Sequence, residues 1–243
     1  MVIFVPLVII RLRRLKLSKQ EEAVVVHIPD GFLDPKIWVG ASALSAGALA
    51  AAVSNTRKVL EDRQVPALGV MAAFIFAAQM INFPVAGGTS GHLLGGALAA
   101  ILLGPWSAGL ILTTVLVIQM LFFYDGGLTA LGANVLNMAV IAPWVAYGTY
   151  RLVGGLFKGN AGRTAATFLA AWLSVMAAAL ACSLEIAFSG TVPLAVVLPA
   201  MLGWHALIGI GEGLITVVVV SFVSRLWGLE QSGQKSFAGG EQL

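Results

Sequence analysis

Long apolar runs, separated by short polar or glycine- and proline-containing breaks, fill the chain from residue 37 onward. Runs of this length and uniformity are typical of helices surrounded by lipid, whereas a soluble helix is apolar on one face only. The pattern predicts an all-α fold, a polytopic membrane bundle of about seven transmembrane segments. The predicted helices cover 37–56, 66–83, 92–103, 106–123, 128–150, 164–188 and 195–224, and a polar tail at 226–243 is expected to be a disordered cytoplasmic segment.

The division of residues 92–123 depends on charge, because Gly104-Pro105 interrupts this stretch and hydropathy alone allows one long helix or two short ones. Only a hairpin of two segments places seven basic residues of the other loops and helix ends on one side of the membrane, which is then the cytoplasmic side. These residues are Arg57, Lys58, Arg63, Arg151, Lys158, Arg163 and Arg225. The loops 26–36, 84–91, 124–127 and 189–194 then face outward, and all three histidines of the chain lie at or near that side.

Composition supports the membrane assignment, since 59% of the residues are hydrophobic, 10% are charged and the mean hydropathy is +0.94. The formal charge of +3 arises entirely within residues 1–25, so the chain from residue 26 onward is neutral and nothing indicates a nucleic-acid partner. The single cysteine, Cys182, excludes a disulfide framework and a cysteine-based metal cluster.

Residues 1–25 do not have the order of a secretory signal, because the basic residues follow the apolar stretch 2–10 and do not precede it. We interpret these residues as a wrongly assigned extension, with translation starting at Val26 from a GUG codon that is read as methionine. The preceding Gln20-Glu21-Glu22 can be encoded by a purine-rich sequence containing AGGAGG, which is typical of a ribosome-binding site. The membrane domain is then predicted to cover residues 26–225.

Several motifs resemble the substrate-capture membrane subunits of energy-coupling-factor cobalt and nickel uptake systems, the CbiM/NikM family. The family begins Met-His-Ile-Pro-Asp-Gly-Phe-Leu, and this chain has Val26-His27-Ile28-Pro29-Asp30-Gly31-Phe32-Leu33. Further similar stretches are Phe83–Gly96 (which contains Gly88-Thr89-Ser90-Gly91-His92), Asp125–Asn134, Asn137-Met138 and His205–Gly213. The resemblance covers roughly residues 26–225 and departs from the family at residue 26, where valine replaces the first methionine.

The resemblance implies metal ligands at Val26, His27 and His92. If residue 26 carries a free amine, then this amine, the next amide nitrogen and the Nδ1 atom of His27 close fused five- and six-membered chelate rings. Such a set favours square-planar Ni(II), Cu(II) or low-spin Co(II), and His92 would supply the fourth nitrogen. Supporting roles around this site are expected for Ser90, Asn134, Asn137, His205 and Glu212. If residues 1–25 are retained, the amine becomes a peptide nitrogen and the chelate is lost.

The resemblance further implies that the chain is a transport subunit and not an enzyme, in a bacterial or archaeal cytoplasmic membrane, with its metal site on the outer side. Co(II) or Ni(II) is the transported substrate, and the choice between them stays open. No nucleotide is expected on this chain. The implied partners are a coupling transmembrane subunit, ATPase subunits and a small separate membrane subunit of the same importer.

Two alternatives from other classes follow from the residues themselves. An intramembrane metalloenzyme could use His27, His92, His205 and Glu212, although it would need a general base beside an open metal position and no HExxH motif is present. A passive channel is less favoured, because a tight chelate retains an ion too long for conduction.

Overall fold

The computed structural model describes residues 27–59, 65–84 and 90–239, and 84% of the structure is helical. The described helices are α1 (Pro35–Val59), α2 (Val65–Gln79), α3 (Gly96–Leu103), α4 (Pro105–Phe123), α5 (Leu131–Leu156), α6 (Gly159–Phe188) and α7 (Leu194–Gly239). Two short strands, β1 (Asn82–Pro84) and β2 (Ser90–His92), pair in antiparallel register. The helical class and the multi-pass membrane character predicted from the apolar runs are confirmed.

Five of the described helices, α1, α4, α5, α6 and the apolar part of α7, are long and apolar enough to cross a membrane. Helix α2 has 15 residues and α3 only eight, so at 1.5 Å per residue neither is long enough by itself to span a hydrocarbon core of about 30 Å. The predicted count of seven spanning segments is therefore not established by helix length.

Helix α3 begins four residues later than predicted, because the apolar run from His92 first pairs as a strand and then turns. His92 lies opposite Asn82 in the strand pair, and Gly95 adopts a left-handed conformation with φ of 75°. A Cβ atom at Gly95 would lie 2.7 Å from the side chain of Ile75 on α2, so glycine also permits the close packing of this turn. The hairpin and turn together fix the direction in which His92 enters the protein.

The predicted break at Gly104-Pro105 is confirmed. Gly104 has φ of 83° and separates α3 from α4, and Pro105 occupies the first turn of α4. At the other end of the chain, α7 continues through Gly239, so the described part of the segment expected to be a disordered tail is helical. Helical hydrogen bonding propagates one residue at a time, which lets a long apolar helix extend into polar sequence.

Helix α5 contains a π-helical turn at Leu136–Ile141. Pro143 lies just beyond it and has no N–H, so the carbonyl of Ala139 lacks its normal α-helical donor. That carbonyl points toward Gly109 of α4, where a Cβ atom would approach it to 2.9 Å. Widening of the helix at this point changes the direction of Asn137 and Met138, and π-helical turns of this kind are frequent at functional sites.

The helices place two different chemical environments at opposite ends of the bundle. Helix α5 begins, α6 ends and α7 begins beside a buried cavity whose lining includes histidine and asparagine side chains. At their other ends, Arg151, Lys158, Arg163 and Arg225 line two neighbouring surface grooves. Arg163 and Cys182 at the cavity are nineteen positions apart in α6, a distance of roughly 28 Å along the helix.

Candidate metal site

All three histidines of the chain line one cavity of about 40 Å³, and each side chain is at least 95% buried. His27 reaches the cavity from the segment before α1, His92 from the end of β2 and His205 from α7. Their convergence could be expected only in part from the sequence, which predicted His27 and His92 as ligands and His205 as a supporting residue. The remaining lining comes mainly from α5, α6 and α7.

The segment that carries His27 is fixed to α5 by Asn134. The side-chain oxygen of Asn134 accepts a hydrogen bond from the backbone N–H of Ile28 at 3.0 Å, and its amide nitrogen donates to the carbonyl of Ile28 at 3.1 Å. Gly127 also donates its backbone N–H to that carbonyl at 3.0 Å. The Ile28 side chain is 2% exposed and belongs to a core cluster with Ala133. The residue next to His27 is therefore held both by hydrogen bonds to its backbone and by packing of its side chain.

A second anchor lies at Asp30, which is an exposed residue. The Asp30 carboxylate accepts hydrogen bonds from the backbone N–H groups of Leu128 and Thr129 and from the Thr129 hydroxyl. The Thr129 hydroxyl and these backbone groups hold the pKa of the Asp30 carboxyl below its usual value. Gly127 lies directly against the backbone of Asp30, and a Cβ atom there would lie 2.3 Å from the Asp30 nitrogen. Residues 27–30 are therefore docked onto the loop between α4 and α5.

The His27 ring makes two close approaches inside the cavity. Its Nδ1 atom lies 3.2 Å from Oδ1 of Asp125, although the alignment is not that of a hydrogen bond, and among the described residues its Nε2 atom has no hydrogen-bond partner. The ring centres of His27 and His92 are 5.0 Å apart, with a 60° angle between the ring planes. Two imidazole rings and a carboxylate thus meet in a region shielded from solvent.

The backbone beside His92 is held by a carboxylate and an amide from two helices. Both oxygens of Glu212 on α7 accept backbone hydrogen bonds, from Leu94 at 2.6 Å and from Gly95 at 2.7 Å. Gln79 at the end of α2 donates its side-chain amide to the carbonyl of Leu94 at 2.8 Å. Glu212 is 2% exposed and lies outside the cavity lining, so it positions the turn after His92 and does not reach a metal ion in the cavity.

The orientation of the His92 ring favours a metal-binding nitrogen. Nδ1 of His92 donates to the carbonyl of Leu93 at 2.9 Å, which leaves Nε2 with the lone pair. A neutral imidazole with a free lone pair is the form of histidine that binds metal ions.

His205 and Asn137 line the same cavity and are also fixed by hydrogen bonds. Nδ1 of His205 donates to the carbonyl of Met201, one turn earlier in α7, at 2.7 Å. The Asn137 amide nitrogen donates to a carboxylate oxygen of Glu185 on α6 at 2.6 Å, whereas its oxygen is buried and has no hydrogen-bond partner among the described residues. Neither residue contacts the docked N-terminal segment through a hydrogen bond, in contrast to Asn134.

Two of the predicted site residues cannot be compared with the structure. Val26 lies outside the described residues, and so does the side chain of Ser90, whose backbone belongs to β2. Within residues 27–59, 65–84 and 90–239, no three side chains of the types His, Cys, Asp and Glu form a group that could hold a metal ion. A site at His27 and His92 therefore needs additional ligands, such as the backbone nitrogens that the sequence predicts.

Three polar residues near the site were not assigned a role from the sequence. Asp125 approaches His27, Gln79 fixes the backbone after His92 and Glu185 binds Asn137. Asp125 follows α4 and opens an Asp-Gly-Gly turn, which is a signal for a loop but not for a contact almost a hundred residues away in sequence. Gln79 and Glu185 are isolated polar residues in apolar runs, and this unusual placement was the available signal.

A polytopic helical bundle with paired imidazole rings in a buried polar cavity defines a membrane protein with a candidate metal-binding site. Sequence comparison gives the particular family. Residues 27–227 match the family described as CbiM, cobalt uptake substrate-specific transmembrane region, and the chain belongs to this family.

Relatives include a protein of Archaeoglobus fulgidus named "Putative fused nickel transport protein NikMN", which is 45% identical over 201 residues. The match covers 82% of this chain and 65% of that relative, so the chain spans slightly less than two thirds of the relative's length. A cobalt transport protein, CbiM, of Kyrpidia tusciae is 32% identical over 213 residues, which cover 84% of this chain and 85% of that protein.

The fold also agrees with solved structures. A crystal structure of a truncated transition metal transporter has a TM-score of 0.78 and 37% identity, and the match covers 82% of this chain and 98% of that chain. These relatives are transport proteins and not enzymes, and the chain belongs to a transporter family. Family membership therefore supports the expectation of transport over the alternative of an intramembrane metalloenzyme.

Proposed function

We propose that this chain is the substrate-capturing membrane component of an ATP-driven energy-coupling-factor importer for Co(II) or Ni(II). It captures the ion on the outer side of a cytoplasmic membrane through His27, His92 and the amine and amide nitrogens at residues 26 and 27. ATP is hydrolysed by partner ATPase subunits, which act through a coupling transmembrane subunit and a small separate membrane subunit. Cobalt and nickel both fit this donor set.

The spacing of the two histidine rings carries this proposal. In the expected chelate, the amide nitrogen lies between the amine and Nδ1 of His27, so His92 occupies the position next to Nδ1. Imidazoles bound at right angles to one ion, with metal–nitrogen distances of about 2.1 Å, have ring centres roughly 4.5 Å apart. Rings bound on opposite sides have centres roughly 6.5 Å apart. The observed distance of 5.0 Å between His27 and His92 agrees with adjacent positions.

Asp125 has a defined part in this capture. The Nδ1 atom of His27 that closes the chelate lies 3.2 Å from the Asp125 carboxylate, so metal binding exchanges this contact for a bond to the ion. The carboxylate then remains beside a divalent cation in a buried region, where an opposite charge is strongly favourable. The hydrogen bonds that Asn134 and Glu212 accept from the backbone of Ile28 and Leu94 keep the two histidine-bearing segments in place during the exchange.

The distribution of charge supports the orientation. Basic loops face the cytoplasm, and Arg151, Lys158, Arg163 and Arg225 lie at the end of the bundle opposite the cavity. The cavity then lies toward the outer side of the membrane, where the ion is captured. In this proposal α2, α3 and the strand pair complete seven membrane segments, with the short α3 packed in the bundle against α4, α5 and α6.

Substitution of the two histidines tests the proposal. In protein expressed from its native gene and purified in detergent, His27→Ala and His92→Ala should each weaken Co(II) and Ni(II) binding by more than about 100-fold, since loss of a supporting residue alone costs about 10- to 100-fold. The matched control is Asn55→Ala, which removes a hydrogen bond to Ala51 within α1 and leaves the cavity intact. Tight binding retained by either histidine variant, with an unchanged elution volume and melting temperature, would refute the site.

The amine ligand requires its own measurement. Intact mass and N-terminal sequencing of the same protein should give a chain that begins Met-His-Ile-Pro at position 26. A chain that begins at Met1 would have a peptide nitrogen at that position, and the proposed chelate could not form.

A further inference from the structure

The cavity is lined by more than the two capture histidines, His27 and His92. Its lining also contains His205, Asn137 and three sulfur-bearing side chains, Met138, Cys182 and Met201. His205 is the twelfth residue of α7, roughly 16 Å along the helix from its first residue. A volume of about 40 Å³ leaves room for an ion and one or two waters, because one water needs about 10–15 Å³ by this measure.

The Asn137 oxygen is an acceptor that no described residue satisfies. The side chain is 3% exposed, and its amide nitrogen is committed to Glu185, so the oxygen must be the free end of the group. The π-helical turn of α5 gives Asn137 its direction. A buried polar atom without a partner is costly, and in native proteins such an atom commonly has a water or an ion as its partner.

His205 presents a second donor atom to the same space. Its Nδ1–H is used by the carbonyl of Met201, so Nε2 carries the lone pair. The residue is 5% exposed and lines the cavity together with His92. An imidazole whose second nitrogen is fixed by a backbone carbonyl has the arrangement that metal-binding histidines use.

We propose that Nε2 of His205 and Oδ1 of Asn137 form a second, inner binding position for the transported ion. This inference rests on the proposed function, since it describes where the captured ion goes next. The inner position supplies one neutral nitrogen and one neutral oxygen, with water completing the coordination, and it therefore binds more weakly than the four-nitrogen set. An ion that leaves the capture ligands moves inward to these two residues before it is released, so one ion occupies the two positions in succession.

The experiment separates the inner position from the capture site by removing the latter. The full-length His27→Ala/His92→Ala protein is titrated with Co(II) alone, and binding is followed by the visible absorption of the ion and by competition with a chelator. We expect one Co(II) per chain, with an affinity more than about 100-fold below that of the unsubstituted protein. Adding His205→Asn should weaken this residual binding by a further factor of about ten or more and change the Co(II) spectrum.

The choice of asparagine distinguishes a ligand from a structural residue. In His205→Asn the side-chain amide can still donate to the Met201 carbonyl, but the lone pair at the Nε2 position is removed. Asn137→Ala should also weaken residual binding, whereas Asn55→Ala should not, because Asn55 bonds only within its own helix. For each comparison, the variant must have the same elution volume and melting temperature as its parent protein.

The outcomes test the inference and the proposed function separately. Residual Co(II) binding that is unaffected by both His205→Asn and Asn137→Ala would overturn the inner position, as would absence of residual binding from the folded His27→Ala/His92→Ala protein. Failure of the proposed function appears elsewhere, as weak or absent Co(II) and Ni(II) binding by the unsubstituted protein. If the His27→Ala/His92→Ala protein binds one Co(II) per chain and His205→Asn weakens that binding, the inner position is supported whether or not the proposed function holds.

Discussion

Asn134 is the residue whose loss should most directly uncouple the His27 segment from the bundle. In Asn134→Ala the backbone N–H of Ile28 loses its acceptor inside a buried region, whereas the Ile28 carbonyl keeps its hydrogen bond from Gly127. A buried donor without a partner costs about 1–3 kcal/mol. This is the amount by which the docked segment is expected to be destabilised relative to the undocked one.

The effect on metal affinity has an upper limit set by this free energy. If the undocked segment becomes the major form, binding must first restore the docked form, and the apparent affinity falls by the fraction that is competent. At 1.4 kcal/mol for each factor of ten, a cost of about 1 kcal/mol sets this limit at about 5-fold and a cost of about 3 kcal/mol sets it at about 150-fold. Burial of Ile28 and the contacts of Asp30 remain and keep the loss within that range.

Two measurements on the same full-length protein test this reasoning. Ni(II) competition titration gives the affinity, and hydrogen exchange without metal reports the opening of residues 27–34. Both should change in Asn134→Ala and neither should change in Asn55→Ala, which removes an asparagine hydrogen bond of similar length within α1. Unchanged exchange and unchanged affinity in Asn134→Ala would refute the idea that this side chain holds the metal-binding segment.

Two further predictions concern the docking of the same segment. Gly127→Ala should lower metal affinity and the melting temperature, because its Cβ atom would lie 2.3 Å from the Asp30 nitrogen. The control is Gly69→Ala in α2, where the new Cβ atom meets no atom within 4 Å and the change should be neutral or stabilising. Equal melting temperatures of the two variants would contradict the close packing at Gly127. Asp30 has a folded-state pKa below its usual value of 3.8, so its carboxylate stabilises the docked segment above that pH and the contribution is lost as the pH falls through the lowered pKa. Thermal melting between pH 6 and pH 3 should therefore show an acid-induced loss that Asp30→Asn lacks, and identical pH profiles would argue against the role of this carboxylate.

The order of the helices could be predicted because each apolar run is bounded by residues that end a helix. The Gly104-Pro105 break is one example, since proline starts α4 and a positive φ at glycine ends the preceding element. The start of α3 could not be predicted, because Leu93 and Leu94 are as apolar as the helix that follows. Only the strand pairing of His92 with Asn82 determines that these residues are extended, and such pairing is not visible in hydropathy.

The candidate site could likewise be predicted from the sequence only in part. His27 and His92 were expected to meet because the family resemblance implies that both bind one ion, and both were predicted to lie on the same side of the membrane. Their ring centres are 5.0 Å apart. The residues that hold them were harder to assign, since Glu212 acts on a backbone 117 and 118 positions away and Asn134 on one 106 positions away. Composition identifies a carboxylate in an apolar run as unusual, but only the packing determines which backbone N–H groups donate hydrogen bonds to it.

The two hydrogen-bonded anchors belong to different helices, and this makes the candidate site sensitive to movement between them. The His27 segment follows α5 through Asn134, whereas the turn after His92 follows α7 through Glu212. Metal–ligand distances are restricted to within about 0.2 Å, so sliding of α7 relative to α5 by a fraction of a helical turn would pull the two imidazoles out of a shared coordination plane. In the proposed function, the affinity for the ion would therefore depend on the alignment of α5 and α7, and a partner that shifts either helix would release the ion without contacting any of its ligands.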